Sequence, residues 1–379
     1  MKNKTSIIQI SVFLAFIALF FVLNPAIPDR DFSEQENRYL SQAPKFTFES
    51  LFSGDFTKEF ESYISDQFAF RDRWTALKAS CELAVGKKEN KNICLCKTSL
   101  GPLDSMLIER FEAPAQSVIT ANVGAVNALA DNAGVPVYFA LIPGSAEIYS
   151  GLLPAGFPCD SQKEVIDAAY GISKAINVDM LSSLLEHKDE YIFYGTDHHW
   201  TSRGAYYGYS SLMASMGIRA RDISDYSVTD VSDSFYGTTY SSSGFSWVKP
   251  DRIERWVEPE SGVKVINYPE GSPVDSSLYA VSALDIKDKY SYFLGGNTPL
   301  VCISTGNEEA PKILILRDSY SDSLAPFLLE HFSEIHLIDL RYYRQSVSDY
   351  IGENDIDSVL VCYSVSNFST DKNIILAGK

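Results

Sequence analysis

The chain has 379 residues, of which 45% are apolar, and it carries a formal net charge of −17 with an isoelectric point near 4.7. That length can bury one large core or two smaller ones. A surface so acidic repels nucleic acid, so we expect no DNA or RNA partner. The charge otherwise indicates only solubility.

The first predicted element is an apolar helix. Lys2 and Lys4 precede residues 5–28, which carry no charge, and a helix of that length crosses a hydrocarbon core of about 30 Å. The two lysines favour a cytoplasmic N-terminus, which places residues 29–379 outside the membrane. We expect an uncleaved anchor over residues 1–28. A cleaved signal peptide is the alternative, although the apolar run is long for one and no small-x-small site follows it.

A polar linker and the start of the folded part come next. Residues 29–50 are predicted to be the linker and residues 51–379 the extracytoplasmic domain. Phe56, Phe60 and Ile64 recur at four-residue intervals, which predicts an amphipathic helix, interrupted near "DQFAFRDR". The stretch "NICLCKTSLGPLDSML" predicts a hairpin with its Gly-Pro pair in the turn.

The cysteines leave their pairing open. Six of them lie outside the predicted anchor, which allows 15 disulfide connectivities, and they occupy positions 81, 94, 96, 159, 302 and 362. Cys94 and Cys96 form a CxC motif that matches neither a thioredoxin nor a zinc ribbon. Cys362 lies inside an apolar run and is interpreted as a small buried hydrophobe. The sequence predicts no metal and no cofactor.

From residue 114 onwards the pattern is that of an α/β protein. Helices are predicted over residues 114–134, 161–172 and 179–187, and strands over 135–143 and over "YIFYGTD" at 191–197. The last third is clearest, with predicted strands at 312–317, 334–340 and 357–364 separated by helices at 321–332 and 343–352. This alternation implies a parallel sheet with helices on its faces.

One stretch departs from the alternation. Residues 218–300 are rich in Ser, Tyr and Gly and are predicted to form an inserted β-rich lobe or a set of long active-site loops. Their aromatic residues favour either the core of a small lobe or a surface that stacks sugar rings. These residues are Phe235, Tyr236, Tyr240, Phe245 and Trp247.

A serine after the strand at 312–317 is the candidate nucleophile. Ser319 follows the strand and precedes a helix, and ligands of open α/β sheets bind at the carboxyl ends of strands. Backbone N–H groups at the helix start can stabilise an oxyanion, with help from the helix dipole. The competing interpretation is a plain helix cap, for which Asp318 is the better residue.

The motif "TDHHWT" supplies a candidate base. A serine hydroxyl needs one, because it is a poor nucleophile alone. Asp197 and His199 would point to the same side of an extended backbone, so the carboxylate could orient the imidazole and the imidazole could activate Ser319. His198 would then face the other way, either as a structural residue or as a residue that supports the catalytic ones from behind. Thr201 or Ser202 is the predicted cap of the next helix.

Two other interpretations of the motif stay open. His199 can be a packed, hydrogen-bonded residue at a helix start, with Trp200 as a packing anchor. Asp197, His198 and His199 can be metal ligands, although nothing nearby completes a recognised zinc spacing.

The chain resembles the DHHW family. "TDHHWT" together with "RDSY" carries the resemblance, and four further stretches extend it over most of the extracytoplasmic part: "ENRYLSQAP", "FESYISDQFAFRDRW", "ALIPGSAEIY" and "YFLGGNTPLV". That family is similar to the bacterial alginate O-acetyltransferases, which have an SGNH-hydrolase-like domain. The resemblance therefore implies an SGNH-like α/β fold with a parallel sheet and flanking helices.

The resemblance also assigns residues. The acetyltransferases use an Asp and a His of a D-x-H-W motif with a later serine, which correspond to Asp197, His199 and Ser319. This order reverses that of ordinary SGNH hydrolases, as in a circular permutation. Arg317 stands where ordinary members have glycine, and D-x-H shortens the usual spacing. Asn297 and Asn367 are both candidates for the oxyanion hole.

The function implied is extracytoplasmic acyl transfer. An acetyl group would pass through an acyl-serine to a hydroxyl of a cell-surface polysaccharide, and a membrane acyltransferase would be the partner that supplies it, by analogy alone. A carbohydrate esterase with the same triad is one alternative. A non-catalytic cell-envelope scaffold that binds glycan is the other.

Overall fold

A computed structural model describes residues 2–33, 35–269 and 271–378. The chain divides into two compact units. Unit 1 comprises Met1–Asn90 with Gly244–Ser246, and unit 2 comprises Lys91–Ser243 with Trp247–Lys379.

Unit 1 is mainly helical. Its elements are α1 (Lys2–Ala26), β1 (Phe32–Ser33), β2 (Arg38–Tyr39), α2 (Phe48–Ser53), α3 (Asp55–Asp66), α4 (Arg71–Ala84) and β3 (Glu89–Asn90). Among the described residues, α1 is the one helix long and apolar enough to cross a membrane by length and composition. The predicted interruption of the amphipathic helix is confirmed as the gap between α3 and α4.

Unit 2 alternates strands and helices. Its first half contains β4 (Ile93–Lys97), β5 (Ser105–Glu109), α5 (Gln116–Asn132), β6 (Val137–Ile142), α6 (Ser145–Ile148), α7 (Gln162–Tyr170), β7 (Ile176–Val178), α8 (Met180–Glu186) and α9 (Ser202–Ser215). The second half contains β8 (Thr229–Phe235), α10 (Thr238–Ser243), β9 (Asp251–Arg255), β10 (Lys264–Asn267), β11 (Val274–Ser276), β12 (Leu300–Ser304), β13 (Lys312–Arg317), α11 (Tyr320–Leu324), β14 (Glu334–Ile338), α12 (Val347–Glu353), β15 (Ser358–Ser364) and α13 (Val365–Thr370).

An eight-stranded sheet forms the centre of unit 2. The strand order is β11-β10-β12-β14-β13-β15-β6-β7. The five strands from β14 to β7 run parallel, and β10, β11 and β12 add antiparallel pairings at one side. The parallel strands are continuous apolar runs because helices cover both of their faces, and all six residues of β6 are buried.

The strand order places several chain segments at one rim of the sheet. β14 pairs with β13 on one side. The chain then crosses back, and β15 pairs with β13 on its other side. Such a reversal makes a crevice at the carboxyl ends of the strands. Residues that follow β6, β13 and β15 therefore meet at that rim.

Most predicted elements of the α/β part are confirmed, with two corrections. The strand predicted over 191–197 is wrong, because this segment forms an isolated bridge and bends. The helix predicted over 321–332 is shorter, since α11 ends at Leu324 and a 3₁₀ turn at Ala325–Leu328 contains Pro326.

The stretch 218–300 is β-rich, as predicted, and its strands divide between two sheets. β8 pairs with β9 in a separate two-stranded sheet, whereas β10 and β11 belong to the central sheet. Phe235 and Phe245 are buried, which agrees with a core role for these two aromatic residues.

Candidate active site

The "TDHHWT" motif forms a closed bend between β7 and α9. Phe193 and Trp200 make an antiparallel bridge, and the Tyr194 N–H donates to the His199 carbonyl at 3.2 Å. Thr201 caps α9 by accepting from the Gly204 N–H, as predicted. The expected extended backbone is absent from this described segment, so the alternation of side chains does not apply.

The bend nevertheless brings Asp197 and His199 together with Ser319. His199 Nδ1 lies 2.6 Å from Asp197 Oδ1, and His199 Nε2 lies 2.7 Å from Ser319 Oγ. An ionised carboxylate can only accept a hydrogen bond, so Nδ1 carries the ring proton. Nε2 is then the acceptor for the Ser319 hydroxyl, which is the arrangement a general base requires.

Four donors surround the Asp197 carboxylate. Oδ1 also accepts from the His199 N–H at 2.9 Å, and Oδ2 accepts from the Thr238 N–H at 2.8 Å and the Thr238 hydroxyl at 3.1 Å. Burial by itself would raise the pKa of Asp197, but His198, His199 and these hydrogen bonds hold it well below its usual range. Asp197 is therefore a fixed negative charge.

Gly237 makes this arrangement possible. A Cβ atom at this position would lie 2.2 Å from both Cβ and Oδ2 of Asp197, far inside van der Waals contact. The loop that follows β8 can therefore deliver the Thr238 N–H to Asp197 only if residue 237 has no side chain. Neither Gly237 nor Thr238 carries a sequence signal that links it to the motif 40 residues earlier.

His198 does not face away from the site. Its ring lies 3.9 Å from the His199 ring, and its Nδ1 lies 2.6 Å from the Thr238 hydroxyl, which in turn donates to Asp197. Partial burial lowers the pKa of His198, and the neighbouring His199 lowers it further. We expect a neutral ring, and the side chain keeps 38% exposure. The predicted outward orientation is wrong because the backbone is bent.

A second carboxylate holds the start of the bend. Asp251 Oδ1 accepts from the Tyr191 hydroxyl and the Gly195 N–H, both at 2.7 Å. Its Oδ2 accepts from the N–H and the hydroxyl of Thr196. Burial raises the pKa of Asp251 to about 6, against the opposing effect of these donors. This buried cluster fixes the backbone directly before Asp197.

Ser319 does not act as a helix cap. Among the described residues its hydroxyl makes no capping bond to α11, and instead it contacts His199. Asp318 Oδ1 accepts from the Tyr320 N–H at 3.1 Å, so Asp318 satisfies the helix start. Because α11 has five residues, its dipole contributes less to an oxyanion site than the sequence led us to expect.

Three aromatic residues tie the nucleophile turn to the bend. The Trp200 indole N–H donates to the Tyr320 carbonyl at 3.0 Å and to the Ser323 hydroxyl at 2.9 Å. The Tyr320 hydroxyl donates to the His198 carbonyl. Tyr290 stacks on His199 at 3.8 Å and donates to the Ser319 carbonyl at 3.0 Å. The role predicted for Trp200 as a packing anchor agrees with its complete burial.

A buried ion pair lies close to Ser319 along the chain. Arg317 is fully buried and its Nη1 contacts Asp322, whereas its Nε and Nη2 have no hydrogen-bond partner within the described chain. Burial raises the pKa of Asp322 to about 7, although Arg317 opposes the rise. The residue that departs from the glycine of ordinary SGNH hydrolases thus introduces a buried cation.

The two predicted oxyanion residues have different surroundings. Asn367 Nδ2 donates to Asp318 Oδ2 at 2.8 Å, next to the nucleophile. Asn297 Oδ1 accepts from Arg341 at 3.3 Å, on an exposed side of the sheet rim. The Ser319 N–H makes no hydrogen bond within the described chain. Asn367 is thus joined through Asp318 to the residue before Ser319, whereas Asn297 is joined to Arg341.

The metal interpretation competes for the same atoms. Ligand atoms of Asp197, His198 and His199 all lie within 4.8 Å of one another, close enough for one cation. Both ring nitrogens of His199 already have partners in Asp197 and Ser319. A cation would have to displace one of those contacts.

A groove runs along the rim beside the triad. Its cavity volume is about 520 Å³. Mostly short, polar side chains line it, among them Gln162, His198, Thr238, Ser364 and Asn367, with Tyr320 directly after the nucleophile. Arg110 in the wall is paired with Glu112 at 2.7 Å. The groove therefore offers many hydrogen bonds and few unpaired charges.

Fold and site together define an α/β protein with a serine–histidine–aspartate contact chain at the carboxyl rim of a mostly parallel sheet. The model of the DHHW protein family matches residues 122–338, more than half of the chain. The chain therefore belongs to the DHHW family.

Solved structures share this fold. A DHHW family protein from Eubacterium siraeum is 23% identical, with a TM-score of 0.63 over 75% of this chain and 94% of that chain. Bacillus cereus PatB1, solved with a sulfonyl adduct, is 21% identical, with a TM-score of 0.60 over 71% of this chain and 96% of its own. No curated protein sequence matches the chain.

Proposed function

We propose that the chain is an extracytoplasmic acyl transferase that moves an acetyl group to a cell-surface polysaccharide through an acyl-serine. The observation that carries the proposal is the contact chain from Asp197 through His199 to Ser319, with distances of 2.6 and 2.7 Å. The resemblance of "TDHHWT" and "RDSY" to the alginate O-acetyltransferases supports acetyl as the group transferred.

In the first step Ser319 Oγ attacks the carbonyl carbon of the acyl donor. Its proton passes to His199 Nε2, and Asp197 stabilises the resulting imidazolium through Nδ1–H. The tetrahedral intermediate expels the donor's leaving group, which takes the proton from Nε2. The products are an acyl-serine, a protonated leaving group and a neutral imidazole.

The negative oxygen of that intermediate needs donors that are free in the resting site. We assign the Ser319 N–H and the second N–H of the Asn367 amide to this task. Asp318 supports the assignment, since its Oδ2 accepts from both the Ser364 N–H and Asn367 Nδ2 at 2.8 Å. Such preorganised donors contribute about 3 kcal/mol each in acyl-transfer enzymes.

In the second step a sugar hydroxyl replaces water as the acceptor. It gives its proton to His199 Nε2 and attacks the acyl carbon. The bond between that carbon and Ser319 Oγ then breaks, and Nε2 returns the proton to Oγ, which leaves the sugar ester, a free serine hydroxyl and a neutral imidazole. The groove supports a glycan acceptor because most of the side chains that line it are neutral hydrogen-bonding groups, beside Glu109 and the Arg110–Glu112 pair, and sugar hydroxyls are matched by such groups. Ser319 is half-buried, and its neighbours Tyr320 and His198 line the groove, which supports access of a bound acceptor to its hydroxyl.

The site would work outside the cell. Residues 1–28 would form a single-pass anchor, residues 29–50 a linker and residues 51–379 the extracytoplasmic domain. The length and apolar composition of α1 support this arrangement. A membrane acyltransferase is the proposed partner, because acetyl donors are made in the cytoplasm and must be carried across. The sulfonyl adduct of PatB1 is in keeping with a reactive nucleophile on this fold.

The test uses the purified full chain with an acetyl ester, with and without an oligosaccharide. We expect acetylated sugar when the oligosaccharide is present, and none from Ser319→Ala. Acetate alone, at a rate the oligosaccharide does not change, would identify an esterase with the same triad.

A serine-reactive phosphonate separates both enzymes from a scaffold. Labelling of the intact chain that disappears in Ser319→Ala requires an activated hydroxyl. A folded chain that takes up no label would overturn the acyl-serine and leave the non-catalytic, glycan-binding scaffold.

A further inference from the structure

Unit 1 presents an aromatic surface that the acyl-transfer proposal does not use. It is built from the turn between α3 and α4, and we call Phe68, Phe70 and Trp74 the aromatic turn. We propose that the aromatic turn lies in the headgroup region of the lipid bilayer and docks unit 1 on the membrane. This inference rests on the proposed anchor and is independent of the proposed chemistry.

The aromatic turn packs on α1. The Phe68 ring stacks on Phe20 with centroids 5.2 Å apart, and Trp74 makes edge contacts with Phe20 at 5.7 Å and Phe16 at 6.1 Å. The Ala69 N–H donates to the Asn24 side chain at 3.0 Å. Phe20 is buried by these contacts, whereas Phe16 and most apolar residues of α1 remain exposed.

These contacts fix the depth of the turn relative to the anchor. A hydrocarbon core of about 30 Å, counted from Thr5 at about 1.5 Å per residue, ends near Asn24. Phe20 is one helical turn earlier, so the Phe68 ring packed on it lies about 6 Å inside that boundary, and Trp74, which also contacts Phe16, lies between about 6 and 12 Å inside it. Interfacial apolar faces are buried about 5–10 Å, and Trp is enriched at this depth.

The exposed side of the aromatic turn combines apolar side chains with an arginine, which is the composition expected at the headgroup region. Phe70 is 50% exposed, Trp74 is 37% exposed and Leu77, three residues further on, is 51% exposed. The Arg73 guanidinium lies 5.7 Å from the Phe70 ring, where an exposed cation can meet lipid phosphates. A bilayer interface accepts both kinds of group, since rings enter the acyl boundary while arginines stay at the headgroups.

The apolar surface continues from the turn along α3. Phe60 and Ile64 are 44% and 40% exposed and lie four residues apart on one face, and Phe56 stacks on Phe60 at 5.7 Å. Lys58 is on the opposite face of the same helix, because two residues rotate the helix by about 200°. A helix with this division lies along a membrane surface.

Phe70 is held outward by its backbone. Its φ of 60° is in the left-handed region, which non-glycine residues enter at a cost of about 1 kcal/mol or more. Phe70 is the residue directly before α4, and its ring is half-exposed whereas the Phe68 ring packs on Phe20. A strained backbone at Phe70 is retained more readily where the exposed ring gains a binding partner. The adjoining apolar face of α3 indicates that this partner is lipid.

Site-directed spin labelling of the full chain in nanodiscs of phosphatidylcholine and phosphatidylglycerol tests the proposal. Labels are placed by Phe70→Cys and Phe60→Cys, with Lys58→Cys as the matched control on α3 and Leu14→Cys as the reporter for the anchor. The background carries Ser in place of Cys81, Cys159 and Cys302. Relaxation by oxygen, which dissolves in lipid, is compared with relaxation by a water-soluble nickel chelate.

For lipid contact we expect nickel accessibility at positions 60 and 70 to be about fivefold lower than at position 58, with oxygen accessibility kept high. Labels at 60 and 70 that are as accessible to nickel as position 58, while position 14 is shielded, would overturn the interface and spare the anchor. Protection from both reagents would indicate a protein partner and also overturn it. Nickel access at position 14 would exclude the anchor and the interface together.

Discussion

The bend at residues 193–200 and the turn at residues 317–323 each hold one half of the candidate site, but their polar groups are satisfied differently. Asp197 in the bend and Asp251 beside it each accept four hydrogen bonds, and the Tyr194 hydroxyl is the uncharged group of the bend that is buried without a partner among the described residues. In the turn, Arg317 Nε and Nη2 and the Ser321 hydroxyl are buried without a partner among the described residues. Each such group costs about 1–3 kcal/mol.

This difference separates the region that positions the proposed base from the region that carries the proposed nucleophile. The bend holds the base and its carboxylate in one geometry, so substitutions there should act mainly on turnover. The turn holds the nucleophile over an imperfectly satisfied ion pair, so substitutions there should also change stability and its dependence on pH. Buried groups left unsatisfied in this way are concentrated at functional sites.

The largest expected effect is the loss of the nucleophile. Ser319→Ala should lower kcat for ester turnover by about 10⁴-fold or more, because the general base then has no hydroxyl to activate. Ser321→Ala, two residues along the same turn, is the matched control and should keep the rate, since its hydroxyl has no partner within the described chain. Equal loss in both variants would mean that the turn is only structural.

Gly237→Ala should disturb the bend at residues 193–200 and leave the turn at residues 317–323 intact. The new Cβ would overlap the Asp197 carboxylate, so Asp197 must rotate and release Nδ1 of His199. We expect kcat to fall by about 10³-fold, somewhat less than the loss of about 10⁴-fold when a catalytic aspartate no longer fixes the histidine tautomer. Gly151→Ala is the control, because a Cβ there meets no atom within 4 Å among the described residues.

Arg317→Met should break the turn by leaving Asp322 buried without its cation. We expect the free energy of unfolding to fall by about 3 kcal/mol, as for other broken buried pairs. The double variant Arg317→Met/Asp322→Leu should recover most of this loss in urea unfolding, since two apolar groups replace both charges. If the two substitutions lowered the free energy of unfolding additively in the double variant, a direct pairing of Arg317 with Asp322 would be contradicted.

The same pair predicts how stability changes with pH. The pKa of Asp322 is raised to about 7 in the folded chain by burial, so the folded state holds a proton that the unfolded state has lost. This contribution is complete below about pH 4 and is lost as the pH rises through 7, with a slope of about 1 kcal/mol per unit. Asp322→Asn should flatten the slope between pH 5 and 8, whereas the exposed control Asp285→Asn should not.

Tyr290→Phe should give the smallest effect. The variant keeps the ring that stacks on His199 and removes the hydroxyl that bonds the Ser319 carbonyl and Ser323. We expect kcat to fall by about tenfold, equivalent to one hydrogen bond of positioning. Tyr290→Leu removes the ring as well and should be worse. A rate for Tyr290→Phe equal to that of the unmodified chain would exclude a role for the hydroxyl.

The sequence predicts the two halves of the site unequally. The strand at 312–317 and the serine after it follow from apolar runs and turn residues, which are local signals. Local signals do not predict the bend, because Asp251, Thr238 and Gly237 contact the motif only in the folded chain. The orientation of His198 was wrong for the same reason, since alternation presumes an extended backbone and the Phe193–Trp200 bridge closes a bend instead.

Long-range contacts explain the other omissions. Tyr290 comes from the stretch 218–300, where short strands and turns give no period to follow, yet it contacts both the base and the nucleophile turn. The pairing of His199 with Ser319, separated by 120 residues, is proposed because a serine nucleophile needs a base, and the resemblance to the DHHW family supports it. Spacing along the chain could not have supplied that pairing.

The absence of a side chain at position 237 has an evolutionary consequence. A paralogue that keeps counterparts of Asp197, His199 and Ser319 but has a larger residue than glycine at position 237 should fold and yet be a pseudoenzyme. This one position would then divide homologous surface proteins into active and silent groups, even where all three triad letters are intact.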